Sequence, residues 1–206
     1  MKLFYAPGAC SIGIHVLLEE IGKPYETERV DFAAGAQLKP PFADINPKRK
    51  VPLLLRDDGS TLTEFPAIAY YLARTNPESG LLPDDAEAAT RAFELMEYVV
   101  ATVHMQGFQR IFRPRNFTPH EVDHDAVKAR GREIFFGGLS LIDERLGDTA
   151  YAVGDTLSIA DAALFYVSFW GRDRLQEALP PRVDAHYARM KARPAVQRVM
   201  QHEGFA

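Results

Sequence analysis

Cys10 is the only cysteine among 206 residues, and its neighbours put it where a thiol can react. The run Lys2-Leu3-Phe4-Tyr5-Ala6 reads as a short apolar strand broken by Pro7-Gly8. Ile14, Leu17, Leu18 and Ile21 then recur at i, i+3, i+4 and i+7, one face of a helix that Gly22 ends. Cys10 therefore falls at a helix start, where free N–H groups and the positive dipole end favour a thiolate and lower its pKa. A free cysteine is equally a small buried hydrophobe, and position alone leaves both readings open. Position 13 is glycine, so the second thiol of a Cys-x-x-Cys pair is missing and redox chemistry here needs an external thiol.

Two other clusters invite chemistry. His120-Glu121-Val122-Asp123-His124 has the spacing that puts two imidazoles on one metal. Thr118-Pro119 just before it makes Thr118 an N-cap, Pro119 the first helical residue and Glu121 the partner in a capping box, so the glutamate is explained without a metal. The segment is polar on every side and no metal is expected. Lys48-Arg49-Lys50 is a local positive spot beside a turn, suited to a small anion or simply to solvent.

Composition narrows the class. Hydrophobic residues make up 47% and charged residues 25%, ordinary globular values. No run of 18 apolar residues and no leader-like opening stand out, so neither a membrane span nor a signal peptide is expected. A single cysteine suits a reducing, cytoplasmic setting. The net charge of −4 and the lack of a basic stripe argue against a nucleic-acid partner.

Elements that would position Cys10 follow in order. Tyr25 to Val30 reads as a second strand, Gly35 to Asp44 as an irregular link with a turn of helix, and Val51 to Leu55 as a strand with proline near its start. Asp57-Asp58-Gly59-Ser60 turns the chain into Thr61-Leu62-Thr63, and Glu64 opens a helix with Phe65, Ile68, Ala69 and Leu72 on one face. This βαβ then ββα order predicts a thioredoxin-like domain over 1–76, followed by a proline- and glycine-rich linker, 77–85. Residues 86–206 read as all helical: about 86 to 112, 119 to 146, 159 to 169, 182 to 191 and 194 to 201. Ser158-Ile159-Ala160-Asp161 has capping-box spacing. The fold class is thus α/β plus all-α.

With these pieces placed, the chain resembles the cytosolic glutathione transferases, and most of all their bacterial beta-class branch with cysteine at the active site. The resemblance is carried by Lys2-Leu3-Phe4-Tyr5 through Pro7-Gly8-Ala9-Cys10-Ser11, Asn46-Pro47-Lys48 through Val51-Pro52, Thr63-Glu64 with Ala67-Ile68 and Tyr71-Leu72-Ala73, and Ser158 to Asp161 before Ala162-Ala163-Leu164-Phe165. It implies a cis Pro52, which lets Val51 pair strand-like with the cysteinyl part of glutathione. It implies that Glu64 takes the γ-glutamyl ammonium, that the helix tip at Phe65 takes its carboxylate, and that Lys50 faces the glycyl carboxylate. Cys10 or Ser11 would contact the glutathione sulfur, with Tyr5 nearby and His104 orienting the sulfur chemistry. Phe108, Arg110, Phe112 and Trp170 are assigned to the electrophile pocket, although Trp170, as a large aromatic, reads first as a core residue.

The resemblance further implies glutathione as co-substrate, no metal, a small hydrophobic electrophile, and a cytoplasmic homodimer concerned with detoxification, with neither a nucleic-acid nor a membrane partner. This chain departs from the family where it has Phe65 in place of Ser or Thr, and from the beta-class branch where Gly35 replaces a lysine and Glu97 a polar contact. The function expected is conjugation of reduced glutathione to electrophiles. The alternatives are a glutathione-dependent thiol reductase or peroxidase acting through Cys10, and a non-catalytic binding protein of the same fold.

Overall fold

The computed structural model describes residues 1–205 and divides into two units, 1–82 with the segment from Met190 onward, and Pro83–Arg189. The first unit contains β1 (Lys2–Tyr5), α1 (Ser11–Ile21), β2 (Glu26–Arg29), the short α2 (Phe42–Ile45), β3 (Leu53–Leu55), β4 (Thr61–Thr63) and α3 (Phe65–Thr75). The strands lie in the order β2-β1-β3-β4, with β1 parallel to β2 and antiparallel to β3, and β3 antiparallel to β4. This is the βαβ-ββα arrangement expected from the sequence. Period 2 sorts the side chains: Phe4 and its partner Leu53 join Ala6, Val30, Phe42 and Val51 in one core cluster. Leu3 and its partner Leu54, also fully buried, take the alternate positions. Gly22 ends α1 in the left-handed conformation, its N–H donating to Leu18 O, as its position predicts.

One expected boundary does not hold. The last helix, α9 (Pro194–Glu203), belongs to the first unit and packs on α1. Arg193 makes a two-pronged contact with Glu20, at 2.6 and 2.8 Å, and Arg198 reaches Glu19 at 2.6 Å. A linear reading of residues 86–206 as one helical domain could not see this return, because the pairing is set by tertiary charge and apolar contacts.

The second unit contains α4 (Ala86–Tyr98), α5 (Gln109–Phe112), α6 (His124–Leu146) and α7 (Ile159–Phe169), and α8 (Pro181–Lys191) begins in it. Asp85 caps α4 by accepting from Ala88 N. The helical run expected over 86 to 112 is continuous, but Val99–Phe108 winds as a π-helix, and a second π segment, Trp170–Arg174, follows α7. Gly107 lets the first π segment touch α6: a Cβ there would stand 2.9 Å from the Phe135 backbone. The Ser158–Asp161 capping box forms as expected, with the Ser158 N–H donating to Asp161 Oδ2 at 2.7 Å. All eleven residues of α7 are buried, which matches a sequence apolar on every side but for Ser168 and the capping residue Asp161.

The start of α6 corrects the sequence reading. The helix begins at His124 rather than near residue 119, because Thr118 Oγ1 accepts from His120 N two residues on and Glu121–Asp123 forms a 3₁₀ turn. The Thr118–Glu121 capping box is not made. His120 stands before the first helical residue, so the metal-like spacing does not lie on one α-helix.

Candidate active site

The turn carrying Cys10 is built by its neighbours. Gly8 takes a left-handed φ of 64°, Ala9 N donates to Ala6 O, and Ser11 is fully buried with its hydroxyl 3.3 Å from both Ala6 N and Ala6 O. Gly8 N also donates to Glu203 Oε2 at 2.7 Å, and the other carboxylate oxygen lies 2.9 Å from His15 Nδ1 on α1. Both side chains of this pair are buried. Tyr5 packs against both the His15 and His202 rings, at 5.5 and 5.6 Å, and those two rings meet edge-on at 5.0 Å. Thus Ser11 and Tyr5 are committed to bracing the turn, and Cys10 is the side chain it presents.

The Cys10 thiol donates to Val51 O across 3.6 Å. The expectation of a lowered pKa is overturned: burial pushes the thiol up to about 12, outweighing the Cys10 and Ser11 backbone N–H groups and the Lys50 ammonium, which pull the other way. The helix-start effect read from the sequence is present, but desolvation is larger. In the unligated protein, alkylation of Cys10 by iodoacetamide at pH 8 is therefore expected to run at least ~10-fold slower than in the urea-unfolded chain, and to accelerate only well above pH 9. The unfolded thiol ionises near 8.5 while the folded one stays protonated to about 12. This group's contribution to stability is therefore complete below about pH 8.5 and declines as the pH rises from there towards 12.

Val51 precedes β3 and is joined to Pro52 by a cis peptide bond, as the resemblance implied; Pro40-Pro41 is cis as well. The Val51 side chain is in the core while its backbone lies beside the Cys10 sulfur. Its N–H has no partner among the described residues. Asn46, itself buried, shapes this loop by donating to Lys50 O at 2.7 Å and accepting from Lys48 N at 3.1 Å. The Lys50 side chain is exposed.

Glu64 stands at the N-cap of α3 with φ 71° and ψ 125°, a left-handed-side conformation that a non-glycine residue holds only under constraint from its surroundings. Its exposed carboxylate accepts from Lys48 Nζ at 2.7 Å, and the same ammonium donates to Thr63 Oγ1 at 2.8 Å. Phe65 follows with its ring buried in the core, 4% exposed, so only its backbone can serve the helix tip. Val51, Glu64 and Lys50 thus come together around Cys10 within the first unit; Lys50 and Glu64 are both close enough to influence its thiol.

The remaining expected residues lie in the second unit. His104 is buried, with Nδ1 3.3 Å from the Tyr166 hydroxyl and Nε2 3.2 Å from Gln109 Nε2. Trp170 stacks on Phe108 at 4.2 Å and meets the His104 ring edge-on at 4.7 Å, so it is a core residue. Phe112, 56% exposed, stacks on the other side of the same ladder, 5.7 Å from Phe108. Arg110 departs from this group: it donates to Gln106 O and Oε1 and lies over the Phe117 ring.

Two contributors are not singled out by sequence reasoning. Lys48 reads there only as local charge. Glu203 does carry a usable signal, since Val196, Val199, Met200 and Glu203 fall at i, i+3, i+4 and i+7, placing a carboxylate on the apolar face of α9.

A thiol and an unpaired backbone N–H in the loop leading into β3, with an acid at a helix tip close by, suit an extended peptide that carries both an amine and a sulfur. Comparison with known proteins agrees. The model for the N-terminal domain of glutathione S-transferases matches residues 8–75 and the model for their C-terminal domain residues 125–202. The chain is 36% identical to the glutathione S-transferase GstA of Escherichia coli O157:H7, over 99% of both. Among solved structures, a glutathione transferase homologue from Sulfitobacter with bound glutathione superposes with a TM-score of 0.92 at 29% identity, covering 100% of this chain and 98% of that one. A bacterial beta-class glutathione S-transferase from Sphingomonas chungbukensis does so at 0.85 and 31%, covering 100% of each. The chain belongs to the glutathione S-transferase family.

Proposed function

We propose that this protein conjugates reduced glutathione to small hydrophobic electrophiles. The observation that carries this reading is the unpaired Val51 N–H just ahead of the interior strand β3, beside the Cys10 thiol, with Glu64 held at the tip of α3. Glutathione lies extended along the backbone at Val51: its cysteinyl carbonyl accepts from Val51 N–H, Glu64 takes the γ-glutamyl ammonium, and Lys50 attracts the glycyl carboxylate. The Phe65 and Ala67 amides at the start of α3 take the γ-glutamyl carboxylate.

The high pKa of Cys10 defines its role. Its S–H turns from Val51 O to the glutathione sulfur and donates to it, favouring the glutathione thiolate while Cys10 keeps its proton. Glutathione's own proton passes to solvent. The thiolate then attacks the electrophilic carbon, forming the C–S bond as the leaving group departs with the bonding electrons. A mixed-disulfide mechanism through Cys10 is not favoured, because it needs the Cys10 thiolate, which burial disfavours. Ser11, whose hydroxyl is engaged on Ala6, is assigned no contact with the ligand, and Tyr5 a bracing role only. His104, both of whose ring nitrogens are engaged, is assigned no proton transfer.

The electrophile side is assigned to the Phe108, Phe112 and Trp170 stack, whose exposed Phe112 face suits a flat apolar acceptor. We further propose a cytoplasmic homodimer that removes reactive electrophiles; the family membership and the lone, reduced cysteine support this setting, and no helix among the described residues is long and apolar enough to cross a membrane. Turnover of 1-chloro-2,4-dinitrobenzene with glutathione tests the reaction. Wild type is expected to form the conjugate, Cys10→Ala to retain activity with kcat lowered about 10-fold, and Glu64→Ala to raise KM for glutathione at least ~10-fold. Absence of any conjugate at millimolar glutathione would overturn the reading.

A further inference from the structure

We propose that Lys48 is a specificity-determining residue for the γ-glutamyl end of glutathione, delivering the cation that receives its α-carboxylate. The inference rests on the reading of Glu64 as the receptor for the adjacent ammonium. An ammonium and a carboxylate on one carbon need an acid and a base side by side, and Lys48 Nζ already stands 2.7 Å from Glu64 Oε1 and 2.8 Å from Thr63 Oγ1.

The tip of α3 supplies few alternatives. Pro66 has no N–H to offer, and the Phe65 side chain is turned into the core. An anion at this tip therefore meets at most the Phe65 and Ala67 amides, and no side-chain donor from the first turn of α3 itself. Lys48 comes from a different segment, anchored by its own N–H on buried Asn46, so its reach towards residues 63 and 64 is fixed by the loop rather than by the helix.

The existing pair is also easy to exchange. Both side chains are more than half exposed, 55% and 62%, and an ion pair in that setting contributes little. Binding a zwitterion replaces one screened contact with two charge-assisted ones, Glu64 with the ammonium and Lys48 with the carboxylate. The Glu64 backbone, held at positive φ, presents its side chain to the same point.

Steady-state kinetics with glutathione and with its analogue lacking the α-carboxylate, 4-aminobutanoyl-cysteinyl-glycine, test this, with 1-chloro-2,4-dinitrobenzene as acceptor. Lys48→Met is expected to raise KM for glutathione about 10-fold, with kcat and KM for the acceptor changed less than 2-fold and the melting temperature unmoved. Lys48→Arg should restore KM to within about 3-fold of wild type. The analogue should cost wild type more than about 10-fold in KM, and cost Lys48→Met about 10-fold less than it costs wild type, since only the Phe65 and Ala67 amides are then left to lose a partner. A Lys48→Met enzyme with unchanged or lower KM for glutathione, or one that discriminates against the analogue as strongly as wild type does, overturns the proposal while wild-type turnover leaves the parent reading intact. A wild type that does not use glutathione overturns both.

Discussion

Asp161→Ala is expected to lower the free energy of unfolding by about 4 kcal/mol. Asp161 is fully buried and serves four donors: Ala152 N at 2.7 Å and His186 Nε2 at 2.8 Å on one oxygen, Ser158 N and the Ser158 hydroxyl at 2.7 and 2.8 Å on the other. Removing the carboxylate uncaps α7, frees the 152 loop and leaves a buried imidazole without its partner. Urea denaturation checks this: the midpoint should fall with the slope unchanged. Ser158→Ala, which keeps the carboxylate and the Ser158 N–H bond, should cost only about 1 kcal/mol. Equal losses for the two variants would show that the cap, rather than the carboxylate, sets the effect.

The second large effect belongs to the first unit. Glu203→Ala is expected to cost about 3 kcal/mol, because it removes at once the carboxylate oxygen that accepts from Gly8 N–H and the one beside the buried His15 ring. Gly8 lies two residues before Cys10, so the damage reaches the site: the melting temperature and the KM for glutathione should worsen together. Glu203→Gln keeps an acceptor for Gly8 and should lose about half as much. If Glu203→Ala melted like wild type, the α9 carboxylate would not be what holds the Cys10 turn.

The contrast between these two acids explains how much the chain discloses by itself. Asp161 stands three residues after Ser158, so its capping role is local and legible from spacing alone. Glu203 acts on residues nearly two hundred positions away, and no local pattern reports its partners. For the same reason the elements of the first unit and the α1 and α3 faces are readable, being set by local periods of 2 and 3.6, whereas the return of α9 to the first unit is not. The π winding of Val99–Phe108 is hidden because the apolar face of an α-helix and that of a π segment with buried Val103, His104, Gly107 and Phe108 look alike over two turns.

Cys10 gives the opposite lesson. Its place at a helix start is legible, and the backbone N–H groups do pull its pKa down, but the stronger push from burial depends on side chains brought over it by the fold. Sequence locates the sulfur and cannot give its protonation. At position 65 the structure explains a departure from the family: the residue after Glu64 is a core aromatic, and Lys48 stands beside the acid from another loop.

Glutathione titrated into the ¹⁵N-labelled protein, followed by amide chemical shifts, tests the site most directly. The largest shifts are expected at Val51, at Glu64, Phe65 and Ala67 around the tip of α3, and at Cys10, saturating at millimolar ligand or below. No shift at Val51 at saturating glutathione, or a response confined to residues far from Cys10, Val51 and the tip of α3, would contradict it.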